Sequence, residues 1–173
     1  MSLENRCNFS LRRARESDLP AVMLLYRSAI GFPGLPWSEE YPNHETLAAD
    51  YAAGGLYILE ENGLPVAAAS VVPENEHDDM TCWQILDGTQ KELARVVVDQ
   101  SERKRGYAKK MLTLLLEELE KSGCHTVHLL VAVGNEAANR LYRSLSFEFL
   151  CECREYDCDF YACEKILSGD TAT

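Results

Sequence analysis

The sequence predicts an α/β (α+β) fold: a mixed, mostly antiparallel sheet of six to seven strands, flanked by about four helices. Leu56–Glu61 and Leu64–Val72 flank Asn62-Gly63, which is a strong signal for a two-residue hairpin. Between 92 and 131 an apolar strand, a basic loop, a helix and a second apolar strand follow one another, and such a unit is expected to be parallel with a right-handed crossover. Two further apolar runs close the chain, and we expect them to pair antiparallel.

The first third of the chain predicts one strand and two helices. Phe9–Arg12 is a short strand, after which Ser17 is expected to cap a helix that has an early proline. Residues 31–37 hold too many glycines and prolines to be regular. A second helix is predicted from about 44 to 53, because the glycines at 54 and 55 stop it.

The rest of the chain alternates loops, strands and helices. The stretch 73–88 is polar and acidic, which favours a loop. The predicted strands are 92–98, 126–131, 147–153 and 160–166, and the predicted helices are 107–122 and 135–144.

Composition is typical of one enzyme domain spanning 1–173. The chain has 173 residues, of which 46% are hydrophobic, so it can bury a sizeable core. Because the sequence shows no apolar run of membrane-spanning length and no leader, we expect a cytoplasmic protein without membrane association. A monomer or homodimer is expected. The net charge of -11 argues against a nucleic-acid partner.

The loop from Arg103 to Ala108 has the character of an anion site. Five of the eight residues from Arg103 to Lys110 are basic, although the whole chain is acidic. A helix that begins after this loop directs its unpaired amides and positive dipole end at the anion. Gly106 and Ala108 leave the backbone uncovered where phosphate oxygens must approach. A solvated charged loop is the alternative.

Two segments resemble one known family. Asn135-Glu-Ala-Ala-Asn-Arg-Leu-Tyr-Arg-Ser-Leu-Ser-Phe147 resembles the Asn-x-x-Ala-x-x-Leu-Tyr-x-x-x-Gly-Phe segment of the GNAT acetyltransferase superfamily, and the loop Arg103–Ala108 resembles its (Gln/Arg)-x-x-Gly-x-(Gly/Ala) acetyl-CoA motif. The resemblance implies the GNAT fold, in which the two central parallel strands splay apart, and acetyl-CoA as co-substrate. Ser146 departs from the pattern, because the family usually has glycine there.

The resemblance also implies which residues hold the cofactor. The pantetheine arm would pair with the backbone of Val96 and Val98 in the splayed strand, although their alternative role is plain strand core. Asn135 would bond the pantetheine amides, cap its helix, or do both, and Asn139 is either a second polar contact or solvent-facing. The loop and helix start complete the set with Arg103, Lys104, Arg105, Gly106, Tyr107, Ala108 and Lys109.

Acetyl transfer to an amine needs a base for the ammonium and a proton for the departing thiolate. Glu92 falls where the histone-acetyltransferase branch of the family has its glutamate base; its alternative role is a surface residue at a strand end. Tyr142 coincides with the family tyrosine that donates to the thiolate sulfur; its alternative role is aromatic packing on the sheet. Rival bases lie on the preceding loop, at Glu76, His77, Asp78 and Asp79.

The acceptor pocket is expected between the first two helices and the late hairpin, as in the resembling family. Acidic and aromatic residues there suit a cationic amine, but they also suit a lid and a solvated turn. The candidates are Phe32, Trp37, Glu39, Glu40, Tyr41 and His44, with Tyr156 and Phe160.

The seven cysteines favour reduced, buried thiols. Cys151, Cys153, Cys158 and Cys163 lack the paired Cys-x2-Cys spacing of a zinc site, so we expect no metal. Strand alternation places Cys151 and Cys153 on one face.

Together these observations predict an acetyl-CoA-dependent N-acetyltransferase that acts on a primary amine of a small molecule or peptide, by direct attack in a ternary complex. A non-catalytic acyl-CoA-binding or sensing module is the main alternative, since such a module needs the loop but neither proton-transfer group. A small cysteine-rich metal protein is a third possibility and rests only on the tail.

Overall fold

The computed structural model describes residues 7–72, 80–84, 88–102 and 106–167. Seven strands in these residues form one sheet, in the order β1-β2-β3-β4-β5-β7-β6. Only β4 and β5 run parallel; all other neighbours are antiparallel. The strands are β1 Phe9–Arg13, β2 Leu56–Glu61, β3 Leu64–Val72, β4 Gln90–Val98, β5 Thr126–Ala132, β6 Glu148–Glu155 and β7 Cys158–Ile166.

Four α-helices in the described residues cover the two faces of the sheet: α1 Leu19–Ala29, α2 His44–Ala52, α3 Tyr107–Lys121 and α4 Glu136–Ser144. One core lies under α1 and α2, where Val22 and Leu47 pack on Ile58 and Val97. The other core lies under α3 and α4 and includes Leu112, Leu115, Val127, Leu129 and Tyr142. Of the helices so described, none is long and apolar enough to cross a bilayer. The predicted fold class is confirmed.

The start of α1 corrects one expectation. Ser17 does not cap this helix, because a short 3-10 turn at Glu16–Asp18 places Asp18 at the N-cap position. The Asp18 carboxylate accepts the Arg15 backbone N–H at 2.6 Å and pairs with Arg12 at 2.7 Å. That ion pair fixes the chain between β1 and the helix, so the helix begins after Asp18.

The parallel pair splays apart as the resemblance implies. Pairing between β4 and β5 in the described residues covers only 90–92 and 126–128, ending at Glu92 opposite His128. Further along β4, Arg95 adopts a left-handed φ of 50°, and the register with β3 shifts there. Such a bulge bends its strand. The strand ends of β4 and β5 therefore enclose a gap.

Two tight turns rest on residues with positive φ. Asn62 and Gly63 (φ 52° and 83°) form the predicted β2–β3 hairpin turn. Tyr156 and Asp157 (φ 50° and 59°) do the same between β6 and β7, so this hairpin is longer than predicted. Without a glycine, this turn carries no clear signal in the sequence.

Candidate functional site

A cavity of about 1650 Å³ opens where β4 and β5 separate. The walls of its first half come from the starts of α3 and α4 and from the outer part of β4. The second half lies on the α1–α2 face, below the loop that joins these helices and beside the β6–β7 hairpin. One continuous space therefore joins the expected cofactor and acceptor sites.

The start of α3 presents an anion-binding geometry. Gly106 is its N-cap with φ 72°, and a Cβ built there would meet nothing within 4 Å. Gly106, Ala108 and Lys109 line the cavity. Tyr107 also lines the cavity; its side chain is buried, and its hydroxyl donates to Glu61 Oε2 at 2.5 Å. Arg103, Lys104 and Arg105 lie outside the described residues.

Val96 and Val98 line the cavity just beyond the bulge. Their side chains pack against the core under α3, which agrees with their alternative role as strand core. Because the described β4–β5 pairing has already ended at Glu92, this edge of β4 faces the gap with its backbone. Unpaired strand edges bind extended ligands by main-chain hydrogen bonds.

The two asparagines of the α4 segment differ in position. Asn135 is the N-cap of α4, and its Oδ1 accepts the Ala138 backbone N–H at 3.2 Å. It is nearly buried and lines the cavity, so capping and ligand contact are compatible. Asn139 lies outside the lining, where its Nδ2 donates to the Val133 carbonyl oxygen at 2.9 Å. Its role visible in the structure is to fix α4 to the end of β5.

Tyr142 reaches the cavity wall from α4. The residue is 7% exposed, and its ring packs edge-on against Phe147 with 5.5 Å between centroids. Burial raises the pKa of the Tyr142 phenol well above its ordinary value, since the phenolate would be poorly solvated. The hydroxyl is therefore protonated at neutral pH, and the raised pKa makes it a weaker acid than a free phenol.

Glu92 lies on the opposite, α1–α2 face of β4, next to a row of buried polar groups. It is 8% exposed and lines the cavity. Across the parallel pair it is in register with His128, whose Nε2 forms a 2.8 Å hydrogen bond with Glu164 Oε2. The Trp83 ring stacks on His128 at a centroid distance of 4.0 Å. The rival bases Glu76, His77, Asp78 and Asp79 fall outside the described residues.

Aromatic residues dominate the acceptor half. Among the predicted acceptor residues, Phe32, Trp37, Tyr41, Tyr156 and Phe160 line the cavity. Glu39 and Glu40 in the loop and His44 at the start of α2 are exposed to solvent and lie outside its lining. The expected acidic contribution of this loop is therefore not part of the described cavity wall.

An ion-pair network was missed by the sequence reasoning. The Arg95 guanidinium binds the Asp50 carboxylate through two hydrogen bonds of 2.7 Å, from Nε and from Nη2, and its Nη1 donates to the Tyr41 hydroxyl at 3.0 Å. Ser70 Oγ donates to the same carboxylate at 2.6 Å. One signal was present in the sequence: Arg95 is the only charge within the apolar run 93–98, and a buried charge requires a partner.

The seven cysteines are free thiols. Cys151 and Cys153 lie on one face of β6, as predicted, but they are half-buried, as is Cys158; only Cys124 and Cys163 are fully buried. The expectation of generally buried thiols is thus partly wrong, because β6 is the edge strand of the sheet. Burial raises the pKa of Cys163 to about 12, so this thiol is protonated.

No group of His, Cys, Asp or Glu in the described residues is arranged to hold a metal ion.

Comparison with known proteins agrees with this geometry. The model of the Acetyltransferase (GNAT) family matches residues 21–147. The L-methionine sulfoximine/L-methionine sulfone acetyltransferase of Pseudomonas aeruginosa is 28% identical over 142 residues, covering 80% of each chain. The [ribosomal protein bS18]-alanine N-acetyltransferase of Escherichia coli is 31% identical over 141 residues, covering 81% of each chain.

A solved structure shows the same fold. The Salmonella typhimurium protein yncA, determined with its cofactor acetyl-CoA, has a TM-score of 0.73 at 22% identity. The match covers 96% of this chain and 98% of that one.

Proposed function

The chain belongs to the GNAT acetyltransferase family, and from this premise we propose that it moves the acetyl group of acetyl-CoA to a primary amine by direct attack in a ternary complex. Two relatives act, by their names, on L-methionine sulfoximine and on a ribosomal-protein alanine, so both small-molecule and protein amines occur among the family's acceptors.

The proposal is supported mainly by one observation: a carboxyl group and a phenol, both chemically able to transfer protons, line the same cavity. Glu92 lies on the acceptor side of the splayed strands, and Tyr142 reaches the same space from α4. The Glu92 carboxylate would take the proton of the ammonium, directly or through water, since an alkyl ammonium with a pKa of about 10.4 is not nucleophilic. The amine nitrogen then bonds to the acetyl carbon, the C–S bond breaks, and the nitrogen releases its second proton to solvent. Tyr142 would donate its hydroxyl proton to the departing thiolate and regain a proton from solvent.

The cofactor half supports the same assignment. The α3 N-terminus, with its open Gly106, suits the pyrophosphate, and the β4 edge at Val96 and Val98 suits the pantetheine arm. Asn135 and the α4 start lie between this edge and Tyr142. An extended acyl-CoA bound along this path would bring its thioester to the gap between the strands.

Tyr142→Phe tests the proton donor. The substitution removes one hydroxyl, so acetyl-CoA affinity is expected to change little while kcat falls by roughly 10²-fold or more, the usual range for a general acid. Thiol release with an amine acceptor measures the rate, and calorimetry measures cofactor affinity. Tyr161→Phe is the matched control, because Tyr161 is half-buried outside the cavity lining.

Glu92→Gln gives a second readout in the same assay. Its loss of rate should shrink as pH rises, because the acceptor amine then deprotonates unaided. A loss independent of pH would assign Glu92 to pocket shape alone. If the wild type binds acetyl-CoA yet acetylates nothing in a broad amine screen, the acyl-CoA-sensing module becomes the better function.

The proposal also covers the domain extent, the cellular location and the partners of the protein. We assign one domain to 1–173, supported by the single sheet that its described strands form. The free thiols support a reducing, cytoplasmic location. The net charge of -11 supports a small-molecule or peptide acceptor over nucleic acid, with the protein a monomer or homodimer.

A further inference from the structure

The charges that line the cavity are unevenly divided between its halves. Among the described lining residues, five carry charge: Asp50, Glu92, Arg95, Lys109 and Arg140. Lys109 and Arg140 lie on α3 and α4, in the half that suits the cofactor. The acceptor half is thus left with Arg95 as its cation and with two carboxylates.

The positive charge of Arg95 is already compensated by protein groups. Each of its three guanidinium nitrogens donates to a protein oxygen: Nε and Nη2 to Asp50, Nη1 to the Tyr41 hydroxyl. The two side chains are largely buried, at 13% exposed for Arg95 and 10% for Asp50. A bidentate Arg–carboxylate pair fixes the fork of the guanidinium in place and cancels its charge. An acceptor carboxylate would therefore have to compete with Asp50.

Glu92 adds a second carboxylate to the described lining of the acceptor half. Arg95, the cation among the described lining residues of this half, is bound to Asp50. A negative group favours a cationic amine and opposes a second carboxylate buried beside it.

The surrounding walls are apolar and aromatic. Phe32, Trp37 and Tyr41 lie on one side, and Tyr156 and Phe160 on the other. Leu35 and Pro36 extend the same surface. Such a wall favours an acceptor with an apolar or aromatic body, and aromatic faces also attract an ammonium.

We propose that the acceptor is a primary amine that carries an apolar or aromatic group and no carboxylate. A peptide amino terminus and an aralkylamine share this chemistry, whereas a free amino acid does not. The inference rests on the proposed function and deepens it. It separates this chain from its relative named for L-methionine sulfoximine, which is an amino acid.

Matched acceptors test the proposal in the wild-type enzyme. Phenylalanine and phenylalanine amide differ at the carboxylate, and methionine and its amide form a second pair. Because the carboxylate also makes the amine more basic, each kcat/KM is calculated from the concentration of neutral amine. Both amides should be acetylated with a kcat/KM at least about tenfold above that of the free acids. Phenethylamine and a short peptide with amino-terminal phenylalanine separate the small-molecule source from the peptide source. Equal or better turnover of the free acids overturns the proposal.

Asp50→Asn tests the part played by the ion pair. Removing this carboxylate leaves the Arg95 charge uncompensated, so the acid-to-amide ratio of kcat/KM should rise by about tenfold. Asp18→Asn is the control, since Asp18 binds Arg12 in the same bidentate manner (2.7 and 2.9 Å) outside the cavity lining. An unchanged ratio in Asp50→Asn refutes the role of Arg95. If Asp50→Asn does not fold, the wild-type comparison decides.

Failure of the acceptor inference can be distinguished from failure of the proposed acetyltransferase function. If only amines that carry a carboxylate are acetylated, the acceptor inference is overturned and the acetyltransferase proposal stays intact. Acetylation of none of the amines, in a protein that binds acetyl-CoA, overturns both.

Discussion

At the scale of single residues, two of the five non-glycine residues with positive φ in the described part of the chain lie outside the β-hairpin turns. Arg95 has φ 50° within β4, and Ser146 has φ 65° after α4, where the family usually has glycine. Such a conformation costs about 1–2 kcal/mol per residue. At Arg95, two hydrogen bonds to Asp50 hold the strained position. Ser146 shows that the turn keeps its geometry despite the departure from the family pattern.

Gly106→Ala is a residue-scale prediction about the phosphate site. Gly106 has φ 72°, and the space beside it is open in the protein, so alanine adds backbone strain of about 1–2 kcal/mol and a methyl group where phosphate should approach. We expect weaker acetyl-CoA binding by calorimetry together with a lower free energy of unfolding.

Gly63→Ala is the matched control. Gly63 has φ 83° and equally open surroundings, but it lies in the β2–β3 hairpin turn, outside the cavity lining. It should lose similar stability and keep full cofactor affinity. Equal affinity in both variants would remove Gly106 from the cofactor site.

At the scale of elements, the cavity depends on a close approach between the α1–α2 loop and the start of α4. A Cβ at Gly34 (φ 80°) would overlap the Gly134 carbonyl and the Asn135 backbone nitrogen. This backbone packing holds the acceptor loop against the segment that also carries Asn135. The acceptor and cofactor halves are thereby aligned.

Gly34→Ala should separate these two segments. Because the added methyl cannot fit, the loop must move, and the acceptor KM should rise by roughly tenfold, an effect of about 1.4 kcal/mol. Gly31→Ala provides the control within the same loop, since Gly31 has φ 87° and nothing within 4 Å of its Cβ position. Steady-state kinetics with varied acceptor measures both. Identical KM values would show that the Gly34 contact does not position the loop.

At the scale of the whole molecule, one sheet separates two cores, and both contain a buried tyrosine whose pKa is raised. Tyr26 lies in α1 and Tyr142 in α4. Burial raises the pKa of both phenols, and at Tyr26 the Asp50 charge adds to the effect. Both hydroxyls are therefore neutral in the folded protein over a wide pH range.

Alkaline unfolding follows from these two shifts. For each tyrosine, the pKa in the folded protein lies above the unfolded value of about 10. Its contribution to the free energy of unfolding is therefore fully present below pH 10. Above pH 10 the free energy of unfolding falls by up to about 1.4 kcal/mol per pH unit for each tyrosine. Urea midpoints between pH 9 and 11.5 measure this slope. Tyr26→Phe should flatten it, whereas Tyr156→Phe should not, because Tyr156 is 77% exposed. Equal slopes in all three proteins would contradict the effect.

Much of the fold was predictable because its signals are local. The Asn62-Gly63 turn, the stop at Gly54-Gly55 and the helix start at Tyr107 are each encoded within a few residues, and the structure confirms them. The β6–β7 turn at Tyr156 and Asp157 was not predicted, since residues 154–159 contain neither glycine nor an Asn-Gly or Asp-Gly pair. The prediction of Ser17 as the helix cap was wrong, because the ion pair that fixes Asp18 there involves Arg12 of β1 and is not visible in the local sequence.

The sequence by itself determined the family, the sheet with its parallel pair, and the candidates Tyr142 and Glu92, because these depend on short motifs and hydrophobic periodicity. Tertiary structure decided which aromatic residues line the acceptor half and which acidic residues face solvent. It also brought Asp50 to Arg95, 45 residues away along the chain. The physical reason is that charge compensation in a cavity depends on distances of a few ångströms, and these are set by how strands and helices pack.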